Sequence, residues 1–274
     1  MEAATVRGAG PERLFEQVRL LEVDPDLGAG IGAQELEAAR HGVVVSVVTL
    51  LPGRWDPGRL SRPDAPTSPF AGLMLSGLVA RDCSVAGRLT TQLVGPGDIV
   101  PLGAPQNRLP VAVYTSWTPT RARIAVLDDR LLDTARRWPW LMGRLVARSA
   151  GWADRALTLQ AIGHIARVDL RIIALMWQMA ERYGRVVPEG LVLPLRLSHQ
   201  AIGNLVGAER PTVSLALKAL RESGTVRERG GGWLLQAECP ELLRGVQRPA
   251  LPPRGAFEWV PRTEPVQERR TRPR

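Results

Sequence analysis

Two glycines, Gly207 and Gly224, frame the most constraining stretch of this 274-residue chain. Ahead of the first, His199-Gln200-Ala201-Ile202-Gly203-Asn204-Leu205-Val206 places Ala201, Ile202 and Leu205 on one helical face. Ser198 suits the cap of that helix, because its hydroxyl can accept a free backbone N–H. Gly207 suits the left-handed position that ends it. A second helix follows. Pro211 falls in its first turn, where the missing N–H is harmless, and Val213, Leu217 and Leu220 recur at helical spacing until Gly224 stops it. Thr225-Val226-Arg227 and Trp233-Leu234-Leu235-Gln236 read as strands about the turn Gly230-Gly231-Gly232. Helix, short glycine turn, helix and β-hairpin make a winged helix-turn-helix.

That arrangement predicts a site. The second helix is narrow enough to enter the major groove of B-DNA, about 12 Å wide. It would present Arg210, Pro211, Thr212, Ser214 and Leu215 there, with Lys218 and Arg221 further along. Ser198, His199 and Gln200 open the first helix, which crosses the phosphate backbone in such a motif. Arg227 and Arg229 on the wing would meet a flanking phosphate or the minor groove. The expected partner is double-stranded DNA. The competing readings are a structural helical hairpin and an accessory protein that uses its winged helix for protein contacts.

Upstream, residues 1–42 read as helical at 13–21 and 33–40, broken by Asp24-Pro25-Asp26-Leu27-Gly28. At Val43 the pattern changes to β-branched residues, and 43–48 reads as a strand. Residues 57–69 form a proline-rich loop. Short apolar runs then recur at 73–80, 89–94, 99–102, 111–117 and 122–127, with Gly95-Pro96-Gly97-Asp98 as a turn. Their spacing predicts a small antiparallel barrel or sandwich over 43–137. Asp128-Asp129 opens a short helix, where the helix dipole favours carboxylates.

Pro139 opens a longer helix over 138–166. Leu145, Ser149, Trp152, Ala156, Leu159 and Gly163 follow a 4-3 spacing along it, the seam of a coiled coil. The expectation is pairing with a second copy of the chain; the alternative is a helix packed on its own domain. Residues 167–169 read as a hinge and 170–183 as a further helix. Residues 184–194 read as a glycine- and proline-rich linker, and 167–240 as one DNA-binding domain. The last stretch, 241–274, holds six prolines and eight arginines and is not expected to fold.

Composition narrows the rest. The 36 basic residues exceed the 27 acidic ones by nine, which suits a polyanionic partner. Cys83 and Cys239 are too few for a disulfide framework or an iron–sulfur cluster, and Cys83 reads as an inert thiol before a redox sensor. The histidines at 41, 164 and 199 have no metal-ligand spacing. Gly-x-Ser-x-Gly, Gly-Lys-Ser/Thr and His-Glu-x-x-His are all absent, so no enzyme, metal or cofactor is expected. Without a signal-peptide core or a run of about 20 apolar residues, the expected place is the cytoplasm, away from the membrane.

The run from Leu197 to Leu220, with Gly207-Ala208-Glu209-Arg210-Pro211-Thr212-Val213-Ser214 at its centre, resembles the helix-turn-helix of Crp/Fnr transcription regulators. Gly95-Pro96-Gly97-Asp98 resembles that family's sensor-domain turn, and 138–166 holds its dimerisation-helix position. The resemblance implies an α+β homodimer: an N-terminal double-stranded β-helix (a cupin-like jelly roll), a long dimerisation helix and a C-terminal winged helix-turn-helix. It also implies RNA polymerase as a partner.

Two departures from the family pattern stand out. Many members open the recognition helix with Arg-Glu-Thr-Val-Ser-Arg; here Pro211 replaces the glutamate and Leu215 the second arginine. Arg210 can still reach a guanine edge, but a different operator is expected. Cyclic-nucleotide-binding members place a glutamate for the ribose and an arginine for the phosphate soon after the Gly-Asp turn. Residues 99–127 contain no Asp or Glu, and Arg108 lies in what reads as a solvated loop. The sensor is therefore expected to be degenerate or to take another, unknown effector.

Overall fold

The computed structural model describes residues 15–60, 69–102 and 112–236. In chain order its strands and helices begin with β1 (Phe15–Arg19), α1 (Leu20–Val23), α2 (Ala33–Gly42), β2 (Val44–Leu50), β3 (Gly53–Trp55), β4 (Ala71–Ser76) and β5 (Val79–Val85). They continue with β6 (Arg88–Val94), β7 (Ile99–Pro101), β8 (Val113–Thr118), β9 (Ala122–Leu127), α3 (Asp129–Ala135), α4 (Pro139–Gly163) and α5 (Val168–Tyr183). The last are β10 (Arg185–Val187), β11 (Gly190–Leu193), α6 (His199–Val206), α7 (Arg210–Glu222), β12 (Val226–Arg229) and β13 (Gly232–Leu235). The loop bearing Arg108, most of the 57–69 loop, Cys239 and the 241–274 tail lie outside the described residues.

Two antiparallel sheets form the N-terminal body, in the orders β1-β2-β9-β4-β7 and β3-β8-β5-β6. Val48, Met74, Val79, Val94, Val100 and Ile124, all fully buried, form one core, drawn from β2, β4, β7 and β9 of the first sheet and β5 and β6 of the second. Val45, Val47, Leu73, Ala125 and Leu127 belong to another core, which also holds Leu20, Leu27, Leu131 and Leu141 from the helical segments. Strands β2, β4 and β9 are thus buried on both faces, which explains why their sequences run apolar without clean alternation. The expected sandwich is present, with a cap of helices on one side.

Three expectations need correction. Residues 15–19 are a strand, not a helix: β1 pairs with β2 from Phe15↔Val48 to Arg19↔Val44, so tertiary pairing overrides a short helical pattern. Helix begins only at Leu20. The run 73–80 is two strands in different sheets, separated at Gly77. That residue has φ +77°, and a Cβ there would stand 2.2 Å from the Arg121 carbonyl. Residues 184–194 are not a linker but the hairpin β10–β11, which joins β13 and β12 in a four-stranded sheet.

Helix α4 is held along its first half by the N-terminal segment. Arg148 pairs with Asp24, and Trp140 Nε1 donates to Glu35 at 2.8 Å. Asp128 caps α3 by accepting from the Leu131 N–H at 3.3 Å. All the described elements lie within one compact unit, residues 1–238, and none of their helices is long and apolar enough to cross a membrane.

Candidate nucleic-acid interface

Local rules place α6 and α7. The Ser198 hydroxyl accepts the Ala201 N–H at 3.1 Å, and Gly207 ends α6 at φ +67°. The turn is tight because Gly203 lacks a side chain: a Cβ there would stand 2.4 Å from the Ala208 carbonyl. Ile202 and Val206 of α6 and Val213, Leu217 and Leu220 of α7 are buried with Val226, Trp233 and Leu235 of the wing. That interior fixes which face of α7 is left outside.

The outer face carries Arg210, Pro211, Thr212, Leu215 and Lys218, all exposed, with Leu215 at 70%. Ser214 is half-buried. Its hydroxyl donates to the Arg210 carbonyl at 3.0 Å and so accepts from Nδ1–H of His199, 2.8 Å away. This bond ties the start of α6 to the first turn of α7 and leaves His199 Nε2 for an outside partner. Gln200 and Ser198 are exposed on α6. Among the described residues the Arg210 guanidinium has no ion-pair partner, whereas Lys218 faces Glu222 at 3.8 Å and Arg221 faces Glu228 at 2.7 Å.

On the wing, Arg227 and Arg229 are exposed. Arg229 meets Glu189 at 3.2 Å, and hydrogen bonds from the backbone N–H of Glu189 and from Arg229 hold that carboxyl below its usual range. Arg196, which sequence reasoning missed, stands against Gly231 and shares a groove with His199 and Arg229. Only the fold brings these three side chains together.

Arginines make two of the contacts that join this head to the rest of the chain. Arg171 of α5 donates to the carbonyls of Val206 and Gly207, at 3.3 and 3.4 Å, and also to that of Ile165. Arg88, at the turn between β5 and β6, pairs at 2.9 Å with Glu209, the residue that precedes α7.

Residues 170–244 match the family model of the Crp-like helix-turn-helix domain. The chain is 36% identical over 76 residues to the global nitrogen regulator of Synechococcus elongatus, covering 27% of this chain and 34% of that protein. It is 26% identical over 154 residues to regulatory protein CysR of the same organism, covering 55% and 66%. Both alignments stop short of two thirds of those relatives' lengths. A solved structure of a CooA mutant from Carboxydothermus hydrogenoformans shares the fold, with TM-score 0.57 and 18% identity over 83% of this chain and 94% of that one.

Residues 170–244 are a Crp-like helix-turn-helix domain.

Helix α4 stands where the Crp/Fnr resemblance places the dimerisation helix. Leu145 of the expected seam is 4% exposed and packs with Leu131 and Leu141 in its own chain's core. That packing leaves Leu145 little surface for a second copy of the chain. Trp152 and Leu159 line a cleft against α5, Ala156 is half-buried, and Ser149 and Gly163 are exposed. The large apolar residues that face outward are Val146, 63% exposed, and Leu157, 66% exposed. Between α4 and α5, the hydrogen bond from Arg167 to Asp169 holds that carboxyl below its usual range.

Proposed function

We propose that this regulator is a homodimer that reads a two-fold symmetric DNA operator with two copies of α7. One observation carries the reading. Helix α7 buries Val213, Leu217 and Leu220 and turns an unpaired Arg210 outward from its first turn. Arg210 would contact a guanine O6/N7 edge bidentately, and Leu215 a thymine methyl group. Pro211 offers no acceptor to cytosine. Thr212 and the His199–Ser214 pair border the groove. Ser198, Gln200, Lys218 and Arg221 would meet phosphates, and Arg227 and Arg229 would hold the flank.

The pairing face of α4 is the outward stripe Val146, Ala150, Ala153 and Leu157, one residue out of phase with the seam expected from spacing. Pairing there would set the two heads about 34 Å apart, one turn of the duplex. A signal at the sandwich would act through α4 and the hinge at 167–169 on that separation. Contact with RNA polymerase and a place in the cytoplasm belong to the same reading. No catalytic role is assigned, since the family is made up of regulators.

Selection of bound fragments from a random DNA pool tests this. A symmetric motif should emerge with or without cyclic nucleotide, and affinity for it should fall steeply as salt rises. An unenriched pool, or binding indifferent to salt, would rule the reading out.

A further inference from the structure

Strand β6 and helices α4, α5 and α6 line a half-open cleft. Leu159, Leu175, Met179 and Leu205 give it apolar walls, and its charged lining groups are Arg155 and Arg182. Trp152 lines it as well, and its buried Nε1–H finds no acceptor among the described residues. Arg81 of β5 stacks over the same indole, 5.6 Å from the ring centroid, and no carboxylate among the described residues pairs with it. Burial holds the Arg81 guanidinium below its usual range, against an opposing pull from Tyr114. Three guanidiniums therefore gather around Trp152 and its cleft, and a single buried carboxylate, Asp98, pairs with two of them.

An unanswered donor and an excess of half-buried positive charge both cost free energy. A bound anion would relieve both. The apolar walls select further, because an inorganic anion would leave them without contact, whereas a flat apolar body would cover them. We propose that this cleft binds a small organic carboxylate with a planar apolar body, its carboxylate received by Trp152 Nε1–H and Arg155. The site lies between the sandwich and the first helix of the head, so its occupant would bear on the packing of one against the other.

Isothermal titration calorimetry on the full chain, without DNA, tests the site with benzoate and inorganic phosphate as probes. Benzoate should bind saturably, one per chain, and phosphate should give no saturable heat. Trp152→Phe keeps the ring and removes the donor; it should weaken benzoate about tenfold, as expected for a hydrogen bond to a charged acceptor. Arg81→Gln should also weaken it, by lowering the local positive charge. Failure of benzoate to saturate, equal affinity in Trp152→Phe, or phosphate binding as tightly as benzoate would each overturn the proposal. No DNA enters the measurement, so these outcomes are independent of the operator reading.

Discussion

Arg182 of α5 grips both carboxylate oxygens of Asp98 through Nη1, at 2.8 and 2.7 Å, while its Nη2 holds the Pro96 carbonyl at 2.7 Å. Asp98 is 1% exposed; it also pairs with Arg155 of α4 and accepts the Gly95 N–H at 2.9 Å. One turn between two strands is thereby fastened to both long helices.

Asp98→Asn should remove the charge that both guanidiniums share. The expected loss is about 3 kcal/mol, the low end for a broken buried pair, because both arginines keep some contact with water. Urea denaturation checks it, and an unmoved midpoint would show that the pair contributes nothing.

Gly95 sits under the Tyr183 ring. A Cβ added there would stand 2.3 Å from the phenolic oxygen and 2.8 Å from Cε1. Gly95→Ala should therefore cost about 1–3 kcal/mol by overpacking. Adding Tyr183→Phe, which deletes the nearest atom, should recover part of that loss. Additive losses in the double variant would contradict the contact.

Burial pushes the Tyr183 phenol above its ordinary value. An unfolded tyrosine ionises near pH 10. Between that value and the folded one, the unfolded chain releases a proton that the folded chain keeps. Stability contributed by Tyr183 is thus complete below about pH 10 and is lost as pH rises through the folded value. The chain has two tyrosines, so ultraviolet titration can follow this group. Tyr183→Phe should abolish the late tyrosinate step and flatten the alkaline fall in stability.

Arg210→Ala should weaken operator binding by about 1–3 kcal/mol and relax preference at one base pair in each half-site. Leu215→Ala should change preference at a different position, with the salt dependence unaltered. Mobility shifts across operator variants separate the two, and a uniform loss in both would point to backbone contact alone.

Leu157→Arg places a charge in the centre of the outward stripe of α4. Light scattering should then report a monomer with intact helical content, and operator affinity should drop with it. A dimer surviving both Leu157→Arg and Val146→Arg would place the pairing face elsewhere.

What could be foreseen divides by the range of the interaction. Ser198, Gly207, Pro211 and Gly224 each answer a requirement of their own backbone, so the head was legible from a few consecutive residues. Phe15–Arg19 becomes a strand only because β2, more than twenty residues on, lies beside it. Gly190–Leu193 needs β13, with Leu191 opposite Leu235. Which face of α4 lies outward is a related case. Two neighbouring registers both repeat at heptad spacing, and what selects between them is the packing of Leu145 against Leu131 and Leu141. Asp98 read as a turn residue; its arginines come from helices more than fifty positions away.

Arg171 has a mechanical consequence. Its guanidinium spans the junction of α4 with α5 and the end of α6 at once. Were the proposed hinge at residues 167–169 to bend, α6 would be dragged along instead of being slipped past, and the head and the pivot would turn as one rigid lever. A command sent down α4 would then emerge as a rotation of the whole head, and the play left in the joint would be set by a single side chain.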